Sequence, residues 1–181
     1  MKSSAGGYGG GSSGCTSYNC TYLRNVRPSD GANNRGGGAV EGGTHYNCLF
    51  AYNAAASYGG AAYGANCYNC TAYANTNTLE IVRNQFGGFY GGTLVNCVSF
   101  GNVGADDAPT SATTSCLQRV TIPAEWIGCI NTDPRLDAEL RPHARACRNV
   151  GCVFDWMTDE ADVRSKDLAG NPRIAPGKEN P

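Results

Sequence analysis

Residues 37–53 read GGAVEGGTHYNCLFAYN and contain both halves of a repeat that recurs along the chain. The first half is a glycine pair, and the second half is the pattern Asn-Cys-x4-Asn. The second half occurs four times, with 28, 22 and 27 residues between successive first asparagines. A period near 22 residues with variable insertions is typical of one turn of a β-solenoid. The copies begin at Asn19, Asn47, Asn69 and Asn96, and their glycine pairs begin at Gly10, Gly37, Gly59 and Gly87.

The recurring polar and glycine positions predict how each turn is built. Glycine pairs permit the positive φ angles and the close backbone approach that bends require. Asparagine tolerates the left-handed region, and its side-chain amide can bond to the same asparagine one turn away. We therefore expect an asparagine ladder at one corner of the solenoid, formed by Asn25, Asn53, Asn75 and Asn102.

The repeated cysteines are expected to point inward, because a column of small sulfur side chains fills a narrow solenoid. Alternation along a strand then places Cys48 and Phe50 on one face. Stacked turns lie about 4.8 Å apart, whereas disulfide Cβ atoms prefer about 3.8 Å, so a mainly reduced column is expected. With no second pair to match it, the CxxC motif beginning at Cys67 does not indicate a zinc site. The column comprises Cys20, Cys48, Cys70 and Cys97.

These patterns predict an all-β protein, a right-handed parallel β-helix (a single-stranded solenoid) with a loop-rich C-terminal cap. Of the 29 charged residues, 10 lie in residues 1–116 and 19 in residues 117–181. We therefore assign about four turns to residues 1–116 and the last turn with the cap to residues 117–181. Leucine-rich and ankyrin arrays need consensus patterns that are absent, and a calcium-binding nonapeptide solenoid needs an Asp that is missing.

The net charge and the absence of long apolar runs in the sequence limit the classes of binding partner that we expect. The formal net charge of −1 gives no reason to expect nucleic acid or a membrane surface. No apolar run approaches the roughly 20 residues that span a bilayer. The first residues contain no signal peptide, and we interpret the chain as a fragment of a longer protein.

Two stretches resemble known families. Gly37-Gly38-Ala39-Val40 followed by Phe50-Ala51-Tyr52-Asn53 resembles the GGA(I/L/V) and FxxN repeats of polymorphic outer-membrane proteins and other pectate-lyase-like β-helices. The C-terminal part is similar to the closing segment of bacterial choice-of-anchor Q proteins, which reads DPxF, LxPxSPC and DLxGNPR. The matching stretches are residues 132–137, residues 140–142 with Cys147, and residues 167–174. The chain departs from that pattern at Arg145-Ala146, where Ser-Pro is usual. The resemblance implies a secreted or cell-surface bacterial protein.

Charged residues cluster in the insertions that follow the ladder asparagines. Because insertions at one corner of a solenoid stack on one side, these groups are expected to share an exposed surface. One reading is a sugar-binding or lyase groove; the reading that we favour is solubilising loop charge. The candidate ligand-binding residues are Arg27, Asp30, Arg35, Glu80, Arg83, Asp106 and Asp107.

The remaining chemistry-bearing side chains have ordinary interpretations. Two residues before three of the repeated cysteines stand Tyr18, Tyr46 and Tyr68, so strand alternation favours a place in the core for these tyrosines. If they faced outward, they would form a platform suited to sugar rings. His45 and His143 are interpreted as solvated. Trp126, Trp156 and Met157 are expected to cover the end of the solenoid, where Cys147 and Cys152 are placed to pair with each other or with Cys129. Solvated carboxylates are expected at Asp159, Glu160 and Asp162.

The sequence favours a non-catalytic module that contacts a polysaccharide or cell-surface glycan, with no metal or cofactor. The alternative is a fragment of a polysaccharide lyase or glycoside hydrolase whose catalytic turns are missing. For that alternative, the resemblance to pectate lyases implies Asp-bound calcium and an Arg base. A third reading is a structural stalk. Self-association is expected through the N-terminal end, where an uncapped turn exposes unpaired backbone groups.

Overall fold

In a computed structural model, the chain is built from very short strands. The structure describes residues 9–29, 36–56, 58–78, 86–105, 107–142, 157, 159, 161–167, 170 and 172. A 3₁₀ turn lies at Val163–Ser165. The strands are β1 (Ser12–Ser13), β2 (Thr16–Tyr18), β3 (Thr21–Leu23), β4 (Val26–Arg27), β5 (Val40–Glu41), β6 (Thr44–Tyr46), β7 (Leu49–Ala51), β8 (Ala54–Ala55), β9 (Ala62–Tyr63), β10 (Asn66–Tyr68), β11 (Thr71–Tyr73), β12 (Thr76–Asn77), β13 (Phe89–Tyr90), β14 (Thr93–Val95), β15 (Val98–Phe100), β16 (Ser111–Thr113) and β17 (Cys116–Leu117).

Successive turns stack their strands in register and form four parallel sheets. Sheet one is β1-β5-β9-β13, and sheet two is β16-β14-β10-β6-β2. Sheet three is β17-β15-β11-β7-β3, and sheet four is β12-β8-β4. Every strand pairing is parallel, as in Tyr18↔Tyr46↔Tyr68 of sheet two. The predicted all-β parallel β-helix is therefore confirmed.

Three corners of each turn are made by residues in the left-handed region, and glycines form the one between sheets one and two. Between sheets two and three these residues are Asn19, Asn47, Asn69 and Asn96, with φ between 51° and 55°. Between sheets three and four they are Arg24, Tyr52, Ala74 and Gly101, with φ from 52° to 68°. The left-handed residue therefore precedes each ladder asparagine, and the ladder asparagines themselves do not adopt it.

The repeated glycine pairs are required by close backbone approach. A Cβ added to Gly38 would lie 2.0 Å from the carbonyl oxygen of Gly60, and one added to Gly60 would lie 2.2 Å from that of Gly87. The pairs therefore stack on one another from turn to turn. Neither of these glycines has a positive φ, so of the two reasons expected from the sequence only the close approach applies here.

The asparagine ladder is confirmed. The Nδ2 group of Asn25 donates to Asn53 Oδ1 at 2.9 Å, that of Asn53 to Asn75 Oδ1 at 2.8 Å, and that of Asn75 to Asn102 Oδ1 at 2.9 Å. Each of these Oδ1 atoms also accepts from the backbone N–H of the preceding ladder asparagine, at 2.9 Å. Gln118 ends the series, because its Oε1 accepts from the Asn102 N–H at 2.9 Å.

The interior is filled mainly by small and aromatic side chains. Phe50 and Leu94 are fully buried, and Phe89 is 1% exposed. At the C-terminal end Trp126 joins the same core cluster, and Ile122 and Cys129 pack against it. Arg119 lies over the Trp126 ring, 4.9 Å from its centroid. Trp126 thus covers the last turn as expected, whereas Trp156 lies outside the described residues. Within the part of the chain that the structure describes, no helix is long and apolar enough to cross a membrane.

Candidate functional site

Three tyrosines form a stack on the outer face of sheet two. The ring centroids of Tyr18 and Tyr46 lie 5.3 Å apart and those of Tyr46 and Tyr68 lie 5.0 Å apart, with interplanar angles of 9° and 14°. These separations exceed the contact distance of about 3.5–4.0 Å between carbon atoms, so the stacking is offset. Tyr18 is 40% exposed, and Tyr46 and Tyr68 are half-buried.

The inward position expected for these tyrosines is wrong, and the left-handed asparagine is the reason. Alternation over two residues holds only while the backbone stays extended. Asn47 lies between Tyr46 and Cys48 with a φ of 55°, so the chain bends there and the two side chains point to opposite sides. Cys48 is 1% exposed, while its neighbour two residues earlier faces outward. The same bend recurs at Asn19 and Asn69.

Hydroxyl and amide groups form a column beside the tyrosine stack. The outer positions at the start of the sheet-two strands are in register from turn to turn. The Ser111 hydroxyl donates to Thr93 Oγ1 at 3.1 Å, and Asn66 Oδ1 accepts from the Thr93 N–H at 3.2 Å. This polar column comprises Thr16, Thr44, Asn66, Thr93 and Ser111.

A second ladder, which the sequence analysis did not identify, is formed by the left-handed asparagines. Asn69 donates to Asn47 Oδ1 at 3.2 Å, Asn96 to Asn69 Oδ1 at 3.0 Å, and Thr114 Oγ1 to Asn96 Oδ1 at 2.6 Å. The sequence signal for this ladder was the first asparagine of each repeat copy. We used this asparagine only to measure the period of the repeat and did not predict that it stacks at a corner.

A segment near the C-terminus packs against the first two turns. Asn47 Nδ2 donates to the carbonyl oxygens of Arg164 and Lys166 at 2.8 and 2.7 Å, and Asn19 Nδ2 donates to that of Val163 at 3.0 Å. The Arg164 guanidinium lies over the Tyr46 ring, 5.4 Å from its centroid. It also forms a salt bridge with Asp162, and the hydrogen bonds from Arg164 lower the pKa of that carboxyl. Asp162 is therefore paired, contrary to the expectation of a solvated carboxylate.

The charged residues proposed from the sequence do not form an exposed group in the described structure. Arg27 is 6% exposed and donates to the carbonyl oxygen of Pro28. Asp107 is 1% exposed, and it accepts from the backbone N–H groups of Phe89 at 2.8 Å and Gln118 at 3.2 Å. The exposed position expected for these two residues is wrong, because both lie within the solenoid wall. Asp30, Arg35, Glu80, Arg83 and Asp106 lie outside the described residues.

The cysteine column lies at the corner between sheets two and three. Cys48, Cys70 and Cys97 are each 1% exposed, and Cys20 is half-buried. Each thiol donates to the carbonyl oxygen two residues earlier, at 3.2–3.4 Å, as Cys48 does to Tyr46. The neighbouring Cys70 thiol and burial raise the pKa of Cys48, and burial and Cys70 raise that of Cys67. The four cysteines of the column are thiols, while Cys147 and Cys152 lie outside the described residues.

His45 is fully buried, so its interpretation as a solvated side chain is wrong. Its Nε2 lies 3.1 Å from the carbonyl oxygen of Gly42, and its Nδ1 lies 2.6 Å from Ser17 Oγ. Because a carbonyl only accepts, Nε2 carries the proton and the Ser17 hydroxyl donates to Nδ1. Burial lowers the pKa of His45 below its ordinary 6.5. A serine activated by a histidine needs access for substrate, and Ser17 is only 8% exposed, so we assign this pair to the core. His143 lies outside the described residues.

Among the described residues, no group of three His, Cys, Asp or Glu side chains could hold a metal ion. The features that face outward together are the tyrosine stack, the polar column and the Arg164–Asp162 pair. They can offer ring faces and neutral hydrogen-bonding groups to a ligand. No protein-family model, curated protein or solved structure matches the chain.

Proposed function

We propose that this chain is a non-catalytic parallel β-helix module that contacts carbohydrate on a secreted or cell-surface bacterial protein. The observation that carries the proposal is the outward tyrosine stack of Tyr18, Tyr46 and Tyr68, with centroid separations of 5.0–5.3 Å. Aromatic rings with an apolar body and a polar end suit surfaces that are apolar in one part and hydrated in another. Sugar rings have this character, because they combine C–H faces with hydroxyl groups.

The polar column supports the same ligand class. Thr16, Thr44 and Asn66 lie two residues before the stacked tyrosines on the same strands. Hydroxyl and amide groups both donate and accept hydrogen bonds. A sugar lying against the tyrosine rings therefore has hydrogen-bonding partners beside it.

The cellular setting rests on the sequence motifs. The glycine-pair and FxxN repeats and the C-terminal DLxGNPR-like stretch resemble pectate-lyase-like and choice-of-anchor Q proteins. These resemblances support a bacterial surface protein in which the β-helix displays the tyrosine stack.

Binding to a polysaccharide panel, with simultaneous detection of released products, tests the proposal. The double variant Tyr18→Ala/Tyr68→Ala should weaken binding, since it leaves Tyr46 without stacked neighbours. The control is Tyr52→Ala, which removes a ring that is 49% exposed at a different corner. Equal binding by the double variant and the control would refute this site. Calcium-dependent release of oligosaccharides would refute the non-catalytic role and support the lyase alternative.

A further inference from the structure

A second group of aromatic rings lies on sheet one, across a corner from the tyrosine stack. Tyr90 pairs in register with Tyr63, and their ring centroids lie 5.8 Å apart with an interplanar angle of 9°. The Tyr90 ring also stacks with Tyr58 at 4.9 Å and with Phe86 at 4.6 Å. All four side chains are half-buried. We call Tyr58, Tyr63, Phe86 and Tyr90 the sheet-one aromatic cluster.

The corner between the two aromatic groups begins at a position that is glycine in each of these four turns. Gly14, Gly42, Gly64 and Gly91 occupy it in successive turns, with φ between 58° and 66°. Among the described residues, no atom lies within 4 Å of a Cβ built on Gly14, Gly42 or Gly64, so the described part of the chain leaves the space outside this corner open. Two residues separate Tyr63 from Asn66 of the polar column along the chain. The aromatic cluster, the glycine corner, the polar column and the tyrosine stack therefore follow one another around the solenoid.

Within the described residues, the strands of sheets one and two carry almost no charge. Glu41 is the one formally charged residue in these strands, and its carboxylate accepts from Ser13 Oγ at 2.8 Å. Beyond the tyrosine stack, the Arg164 guanidinium is neutralised by its salt bridge with Asp162. An acidic polysaccharide would meet the Glu41 carboxylate without a cation in these strands to offset it. Like charges brought together in this way oppose binding.

We infer that the ligand is an uncharged polysaccharide whose chain crosses the glycine corner and contacts both aromatic groups. The inference rests on the proposed function and adds the ligand's charge and direction. The two aromatic groups lie on adjacent sheets, so a chain that contacts both runs around the solenoid and not along its axis. Ring stacking and neutral hydrogen bonds supply the affinity.

The experiment compares pairs of polysaccharides that share a backbone, one neutral and one acidic. The full chain is titrated with hydroxyethyl-cellulose and carboxymethyl-cellulose, and with fully methyl-esterified and de-esterified polygalacturonate. We expect the neutral member of a pair to bind more tightly. Salt weakens interactions between charges, and the screening length falls from roughly 14 to 4 Å between 0.05 and 0.5 M NaCl. Because the neutral polysaccharide has no charge to screen, its affinity should change less than about twofold over this range.

Ring variants test the direction of the chain. Tyr63→Ala/Tyr90→Ala and Tyr18→Ala/Tyr68→Ala should each weaken binding, by about two- to tenfold per ring, since one aromatic contact contributes about 0.5–1.5 kcal/mol. Tyr52→Ala should bind as the parent chain does. Circular dichroism of each variant establishes that the β-helix is retained.

The possible failures are distinguishable. Preference for the acidic member with strong salt dependence would overturn the inference and leave the proposed function standing. Loss of binding only in the Tyr18/Tyr68 variant would overturn the crossing direction. Absence of binding to these four polymers and to a wider panel of neutral and acidic polysaccharides would overturn both the inference and the proposed function.

Discussion

Removing one amide from the middle of the asparagine ladder should cost far more stability than removing one from its end. Asn75 is fully buried and makes bonds on both sides. Its Oδ1 accepts from the Asn53 N–H and Nδ2 groups, and its Nδ2 donates to Asn102 Oδ1 and to the Phe50 carbonyl oxygen. In Asn75→Ala the Asn53 N–H and the Phe50 carbonyl oxygen lose these partners inside the solenoid.

The size of the effect follows mainly from the Asn53 N–H, because Phe50 keeps the backbone pairing of β7 with β11. A buried polar group left without a partner costs about 1–3 kcal/mol and the lost bond to Phe50 about 1 kcal/mol, so Asn75→Ala should lower the free energy of unfolding by about 2–4 kcal/mol. Asn25 is the matched control, because its side chain makes one ladder bond, to Asn53, and is 9% exposed. Its replacement by Ala removes one net hydrogen bond and should cost about 1 kcal/mol.

Equilibrium unfolding in urea measures both losses. The midpoint should fall for Asn75→Ala with the slope unchanged, which indicates that stability and not the extent of unfolding has changed. If Asn75→Ala lowers the free energy of unfolding no more than Asn25→Ala does, the middle of the ladder does not stabilise the stacked turns more than its end.

Further predictions concern other buried groups and the ends of the solenoid. Because burial lowers the pKa of His45, the unfolded chain takes up a proton before the folded one as the pH falls below 6.5. Stability should therefore be fully present above that pH and decline below it, and His45→Gln should flatten this dependence in urea titrations between pH 7 and 5. Asp107→Ala removes the acceptor for two backbone N–H groups and should cost about 2–5 kcal/mol. The control is Glu139→Ala, at a side chain that is 64% exposed, which should change the unfolding free energy by less than about 0.5 kcal/mol. Equal losses of stability in Asp107→Ala and Glu139→Ala would contradict the burial of Asp107. In hydrogen exchange, β1 to β4 should exchange faster than β9 to β12, since each first-turn strand pairs with a neighbour on one side only; equal protection in a strictly monomeric sample would contradict an open N-terminal end. Cys48, Cys67, Cys70 and Cys97 should react with a thiol reagent only after unfolding, whereas Cys15 and Cys20 should react in the folded protein; rapid native labelling of Cys67 would contradict its burial.

The repeat alone determined the architecture and one of its ladders. A glycine pair followed by Asn-Cys-x4-Asn, recurring at 22–28 residues, predicts stacked turns with Asn25, Asn53, Asn75 and Asn102 at one corner. This succeeds because every turn must place the same residue at the same corner. The side-chain amide, which both donates and accepts, is then repeated at strand spacing and can bond to its own kind.

Only the tertiary structure decided which side chains face outward. The sequence shows Tyr46 and Cys48 two residues apart, and an extended strand would place them on one face. Because Asn47 has a φ of 55°, the two side chains lie on opposite sides of the chain, and this angle could not be predicted from the sequence. The tyrosine stack was therefore placed in the core by sequence reasoning, although it is the surface on which the proposed function depends.

The burial of Asp107 and His45 was likewise decided by contacts between turns. Asp107 lies in an insertion, and an isolated insertion predicts solvated charge. Its carboxylate is buried because the Phe89 N–H of the neighbouring turn lies 2.8 Å from it and supplies a donor. His45 is buried because Ser17 and Gly42 satisfy both ring nitrogens. Ser17 is 28 positions from His45 and Phe89 is 18 positions from Asp107, so these partners meet only when the turns stack in this register.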